Sequence, residues 1–110
     1  MTRGEVWTVA GGDNYAGKPR PAVIIQDDRF GEIESVTVCP FTTNPTSPQL
    51  FRVTVEPEEA NGLVHASWLM ADKLTTVPRS KLGRRIGRLN GETMLRLNRA
   101  MLVFLGLAGS

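Results

Sequence analysis

The chain holds few of the side chains that usually carry covalent or metal chemistry. His65 is its single histidine and Cys39 its single cysteine. A zinc site rich in Cys and His therefore cannot be built, and a Ser-His-Asp or Cys-His nucleophilic centre would rest on His65 alone. Cys39 lies in a valine-rich segment and reads as a small buried apolar residue. Gly11-Gly12 and Gly17-Lys18-Pro19 do not open a helix, so they do not form a phosphate-cradling loop. Asp27-Asp28 falls in a turn, where adjacent carboxylates do not converge on a magnesium ion. Neither a metal nor another cofactor is expected. An enzyme with this inventory must work with Arg, Thr, Ser, Asp, Glu and backbone groups. Cleavage of RNA tolerates that restriction, because the substrate supplies its own nucleophile, the ribose 2′-hydroxyl. The protein need only align it, take its proton and stabilise the charge of the phosphorane. Arginine suits the last task, since its planar fork meets two phosphoryl oxygens at once.

Charge points the same way. The 110 residues carry a formal net charge of +2, unevenly spread. Residues 1–78 hold 6 basic and 10 acidic side chains, whereas residues 79–110 hold 7 basic and 1 acidic. The basic block is Arg79, Lys81, Arg84, Arg85, Arg88, Arg96 and Arg99. It fits a polyanionic partner, or else arginines paired with Asp and Glu elsewhere in the molecule or across a dimer.

These groups need a frame. The length suits one domain, residues 1–110. Arg3 to Val9 reads as a strand with Trp7 and Val9 on one face, and a turn-rich loop follows from Ala10 to Pro19. Arg20 to Gln26 is a β-branched apolar run, expected as a strand buried on both faces. Further strands are expected at Ser35 to Phe41, Phe51 to Glu56, one extended stretch from Ala66 to Val77, and Gly83 to Leu89. The polar loop Thr42 to Pro48 and the turn Glu58 to Leu63 separate them. Asn90 reads as the N-cap of a helix from Glu92 to Leu105, with Gly106 as its stop. Met94, Asn98, Met101 and Leu105, with Leu95 and Leu102, follow helical spacing and are expected to pack on the sheet. The pattern predicts a mainly β fold, a small antiparallel barrel with a C-terminal helix. Met1 to Glu5 leads straight into Val6-Trp7 without an apolar leader, and no apolar run approaches a membrane span. The expectation is a soluble cytoplasmic protein.

Five ordered segments carry a family resemblance. Arg3-Gly4-Glu5-Val6-Trp7, Arg20-Pro21-Ala22-Val23-Ile24-Ile25-Gln26, Val38-Cys39-Pro40-Phe41-Thr42-Thr43-Asn44, Ala71-Asp72-Lys73-Leu74-Thr75-Thr76-Val77 and Leu82-Gly83-Arg84-Arg85-Ile86-Gly87-Arg88-Leu89 together resemble the MazF/PemK/Kid toxins. The resemblance implies an SH3-like barrel of the CcdB/MazF kind and a homodimer. It also implies a type II toxin that cuts single-stranded RNA (messenger, transfer or ribosomal) without a metal. A cognate antitoxin with a flexible C-terminal segment is the implied partner. Arg20 matches the family's catalytic arginine, Thr42 its catalytic threonine, and Asp72 an acidic position that contributes in some members. Asp13, Tyr15, Lys18, Thr43, Asn44 and Arg84 are the expected substrate-binding set. Asp13 and Asp72 are the two candidates for general base. Phe41 and Tyr15 are better placed than Trp7 for stacking on bases. Met70 departs from the pattern, since some members carry arginine there. Two alternatives remain open from the residues themselves: a CcdB-like toxin that poisons DNA gyrase without catalysis, and a plain nucleic-acid-binding barrel.

Overall fold

The structure, a computed structural model, describes residues 1–10, 18–44 and 51–108. Seven strands and a helix follow one another: β1 (Glu5–Val9), β2 (Arg20–Ile24), β3 (Ser35–Thr42), β4 (Arg52–Val55), β5 (Ser67–Met70), β6 (Thr75–Pro78), β7 (Leu82–Arg88) and α1 (Gly91–Phe104). They form one antiparallel sheet in the order β4-β5-β3-β2-β1-β7, with β6 paired to β3. The expected mainly β fold with a C-terminal helix is present. Among the described residues the hydrogen-bonded path ends at β4 and β7 and does not close into a full barrel.

The stretch expected as one strand from Ala66 to Val77 is instead broken. Phe41 and Thr42 of β3 pair with Leu69 and Trp68, and Val38 then pairs with Thr75. Between these two ladders the numbering slips by three residues, taken up by a 3₁₀ turn at Ala71–Lys73. The break lies opposite Cys39 and Pro40, and proline offers no N–H to continue a ladder. The turn is pinned where it leaves β5: Ala71 is fully buried, and its N–H donates to the Phe51 carbonyl at 3.1 Å. This three-residue excursion carries Asp72 and Lys73.

Strand alternation sorts the side chains onto two faces. Val6, Val23, Cys39, Phe41, Val53, Val55 and Leu69 point to one face and pack with Leu89, Leu97 and Ala100. Burying a leucine such as Leu97 contributes about 1.5–3 kcal/mol. On the opposite face Ala22, Ile24, Val36 and Val38 form a second cluster with Met1, Trp7, Val9, Val77 and Leu82. The helix starts where expected: the Asn90 side chain accepts from the Thr93 N–H at 2.7 Å. It ends at Gly106, whose φ of 72° is a left-handed conformation suited to glycine. Its inward face matches the expected one in part: Met94 and Met101 pack against the core cluster. Thr93, Leu97 and Ala100 are the buried positions, while Leu95, Leu102 and Leu105 are exposed. The helix lies against β4 and the 3₁₀ turn, so only a narrow stripe meets the sheet.

Candidate active site

Paired positions on antiparallel neighbours point to the same face. Arg20 lies opposite Val9, Ala22 opposite both Trp7 and Pro40, and Thr42 opposite Trp68. Trp68 lies in turn opposite Thr54, and Met70 opposite Arg52. Counting by twos along each strand puts Arg20, Pro40, Thr42, Trp68 and Met70 on the face turned away from the helix-packed core. Arg20 begins β2 and Thr42 ends β3, so both sit at the same end of the sheet. The structure thus brings the two chief expected residues onto one face of adjacent strands.

A cavity of about 330 Å³ opens on this face. Its walls are mostly apolar, from Val9, Pro21, Val38, Pro40, Met70 and Val77, and Arg20, Lys73 and Thr75 supply polar groups. The guanidinium of Arg20 belongs to an exposed residue. The hydroxyl of Thr42 accepts from the Asn44 N–H at 3.1 Å, which turns the chain out of β3. Thr43, Asn44 and Lys18 are exposed at the margins of the two loops. Asp13 and Tyr15 lie outside the described residues.

Asp72 is already partnered. Arg52 Nε and Nη2 donate to its two carboxylate oxygens at 2.8 and 3.0 Å, a fork-on-fork pair. Burial alone would raise the Asp72 carboxyl, but the hydrogen bond from Arg52, a backbone N–H and the charges of Arg52 and Lys73 outweigh it and hold the group below its ordinary value. Lys73 Nζ stands 3.9 Å from the same carboxylate, and its side chain is 60 % exposed. Arg52 also lies over the Phe51 ring at 5.9 Å, and Phe51 meets Phe104 of α1 edge-on at 5.3 Å. The helix end, the aromatic pair and the ion pair thus brace the turn that delivers Lys73 to the cavity.

Arg84 sits on β7, two strands from Arg20 across β1. Its side chain is exposed and its N–H donates to Thr8 Oγ1 at 3.0 Å, where the β1–β7 register slips. Arg85 and Arg88 take the paired alternative: Glu5 lies 3.3 Å from Arg85 and 3.8 Å from Arg88. Burial pushes the Cys39 thiol up to about 12, so it remains protonated at neutral pH. Phe41 is only 4 % exposed, with its side chain turned into the core. It therefore cannot present a stacking face, contrary to the sequence expectation. Among the described residues no three of His, Cys, Asp and Glu gather as a metal site. Sequence reasoning missed Arg52, Lys73 and Trp68. Arg52 is one polar member of an alternating strand, and only pairing reveals that it meets Asp72.

A mostly apolar cavity edged by Arg20 and Lys73, on one face of an antiparallel sheet backed by a C-terminal helix, defines a small mainly β protein. The chain belongs to the family of PemK-like, MazF-like toxins of type II toxin–antitoxin systems, whose sequence profile matches residues 2–105. It is 56% identical over 109 residues to the "Probable endoribonuclease MazF" of Mycolicibacterium smegmatis, covering 99% of this chain and 100% of that protein. The solved structure of Mycobacterium tuberculosis toxin MazF-mt6 aligns with a TM-score of 0.77 at 29% identity, over 92% of this chain and 96% of that one. A mycobacterial endoribonuclease in complex with its cognate antitoxin aligns with a TM-score of 0.83 at 23% identity, over 100% and 99% of the two chains. That last likeness speaks for the fold.

Proposed function

We propose that this chain is the endoribonuclease toxin of a toxin–antitoxin pair and cuts single-stranded RNA on the face that carries Arg20 and Thr42. The observation that carries the reading is the register, which sets these two residues on one face at the same end of neighbouring strands. Its 56% identity to a probable MazF endoribonuclease supports the reaction class. The 2′-hydroxyl of the nucleotide before the cut attacks phosphorus, the bond to the 5′-oxygen breaks, and the products end in a 2′,3′-cyclic phosphate and a 5′-hydroxyl. Arg20 bonds the phosphoryl oxygens as negative charge builds on them, and donates a proton towards the leaving oxygen. Thr42 adds a hydrogen bond to the same group. Asp72, held by Arg52 with a lowered pKa, serves as the anchor of its turn rather than as a proton acceptor. Asp13, the other candidate for general base, lies outside the described residues. Lys18, Thr43, Asn44 and Arg84, exposed on or beside this end of the sheet, contact the RNA strand on either side of the cut.

Residues 1–110 act as one toxin domain, in the cytoplasm and as a homodimer. A cognate antitoxin covers the groove with a flexible segment, and an acidic one suits its cations. The test is incubation of the purified chain with a long transcript in EDTA. Wild type cuts at defined sites, and Arg20→Ala lowers the rate about 10²–10³-fold while its circular dichroism and melting curve stay unchanged. Intact RNA with stalled gyrase would favour the CcdB-like reading. Salt-sensitive binding without product would favour the plain binding barrel. An Arg20→Ala variant that cuts at the wild-type rate removes the assignment.

A further inference from the structure

We propose that Trp68 is the base-stacking platform of the groove, seating the base of a nucleotide adjacent to the cleaved bond; the proposal rests on the ribonuclease reading above. Trp68 is directly paired with Thr42 on one side and with Thr54 on the other. All three therefore point to the same face, the face of Arg20 and Met70. The flanking residues are small, so the indole stands beside the Thr42 hydroxyl without a large neighbour across either ladder, and it is partly exposed.

The second tryptophan shows what a committed indole looks like. Trp7 Nε1 donates to Glu5 at 3.0 Å, and its ring packs with Val9, Val77 and Leu82 over the second cluster. Trp68 makes no such bond to any described residue. A single strand of RNA needs an aromatic face for each unstacked base it presents and a cation for each phosphate. The cavity on this face is edged by the cations Arg20 and Lys73, and Trp68 and Thr42 stand outside its lining, on the same face by register. Among the described residues, Phe41 has its ring in the core and Trp7 is bound to Glu5. Trp68 is thus, of the two tryptophans on the face of Arg20 and Thr42, the one whose indole makes no side-chain hydrogen bond. Stacking tolerates any base, so Trp68 supplies affinity and positioning, and the choice of sequence is left to the polar groups around it.

The experiment pairs protein variants with altered RNA. The cut site is first mapped on a long transcript. A short RNA spanning that site, with a single 2′-deoxy substitution at the attacking nucleotide to prevent cleavage, is then the binding probe. Trp68→Ala should weaken binding of this probe roughly tenfold and raise KM for the cleavable form more than it lowers kcat. Trp68→Phe should recover most of the loss. An electrostatic contact would change the slope of affinity against salt, whereas Trp68→Ala should leave that slope unchanged. Abasic substitution at one position beside the cut should weaken wild type by a similar factor and add nothing to Trp68→Ala. If the two losses multiply at every position, or if Trp68→Ala binds as wild type does, the platform is overturned. If Trp68→Ala has a lowered melting temperature, Trp68→Phe and the abasic scan on wild type decide the matter. A wild-type chain that cuts no transcript would overturn the ribonuclease reading itself, a distinct outcome.

Discussion

Two polar clusters on this sheet each combine a tryptophan, arginines and a carboxylate, and they are wired in opposite ways. Around β1 the Glu5 carboxylate receives Trp7 Nε1 and the Thr2 N–H and faces Arg85 and Arg88. Arg88 also donates to the Arg3 carbonyl and the Thr2 hydroxyl. One anion thereby collects an indole and two guanidinium groups. At the other end Asp72 is consumed by Arg52, with side chains only 16 % and 13 % exposed. Lys73 keeps a looser contact with the same carboxylate at 3.9 Å and, with Arg20, lines the cavity, while the Trp68 indole has no side-chain hydrogen bond among the described residues. Similar residues are thus gathered onto one carboxylate around β1, whereas at the other end the carboxylate is tied down chiefly by Arg52.

Breaking the Arg52–Asp72 pair should have the largest effect on this contrast. Arg52→Ala leaves a mostly buried carboxylate without its partner and should cost about 3 kcal/mol of stability, read as a lowered urea midpoint. It should also weaken RNA binding, because the freed Asp72 draws Lys73 away from phosphate. Glu5→Gln tests the cluster around β1. It should cost about 1–2 kcal/mol while the cleavage rate stays within a factor of about two of wild type. A large loss of activity there would mean that the two clusters are not separate.

The smallest effect is the acid dependence. Burial raises the Glu5 carboxyl, but the bonds from Trp7 and Thr2 and the charge of Arg85 outweigh it, so Glu5, like Asp72, lies below its ordinary value. A carboxylate whose pKa is lowered by folding adds stability above its unfolded pKa and loses it as pH falls through the folded value. Those ordinary values are 4.5 and 3.8. The urea midpoint should therefore be flat near neutrality in this respect and fall once the pH drops below about 4. The fall should be shallower in Arg52→Ala, which loses the Asp72 share. An unchanged acid slope in that variant would show that the pair contributes nothing.

Much of this molecule was legible from local pattern. Asn90 and Gly106 bounded the helix because capping chemistry is settled within a few residues. The alternation at Arg52 to Val55 and the apolar run at Arg20 to Gln26 gave strands because burial imposes the period. Arg20 and Thr42 were legible as a pair only through resemblance, since nothing in their spacing says that strands β2 and β3 pair at Ala22 and Pro40. The break at Ala71–Lys73 was hidden because the segment is extended on both sides of it, and only the shared edge of β3 forces the three-residue slip. The partner of Asp72 and the setting of Trp68 were hidden for the same reason. Local sequence determines what a residue can do and which face of its element it takes, through interactions that span a few positions. Which arginine meets which carboxylate, and which tryptophan is left open, is decided by cross-strand registers between residues tens of positions apart, and those exist only once the sheet has formed.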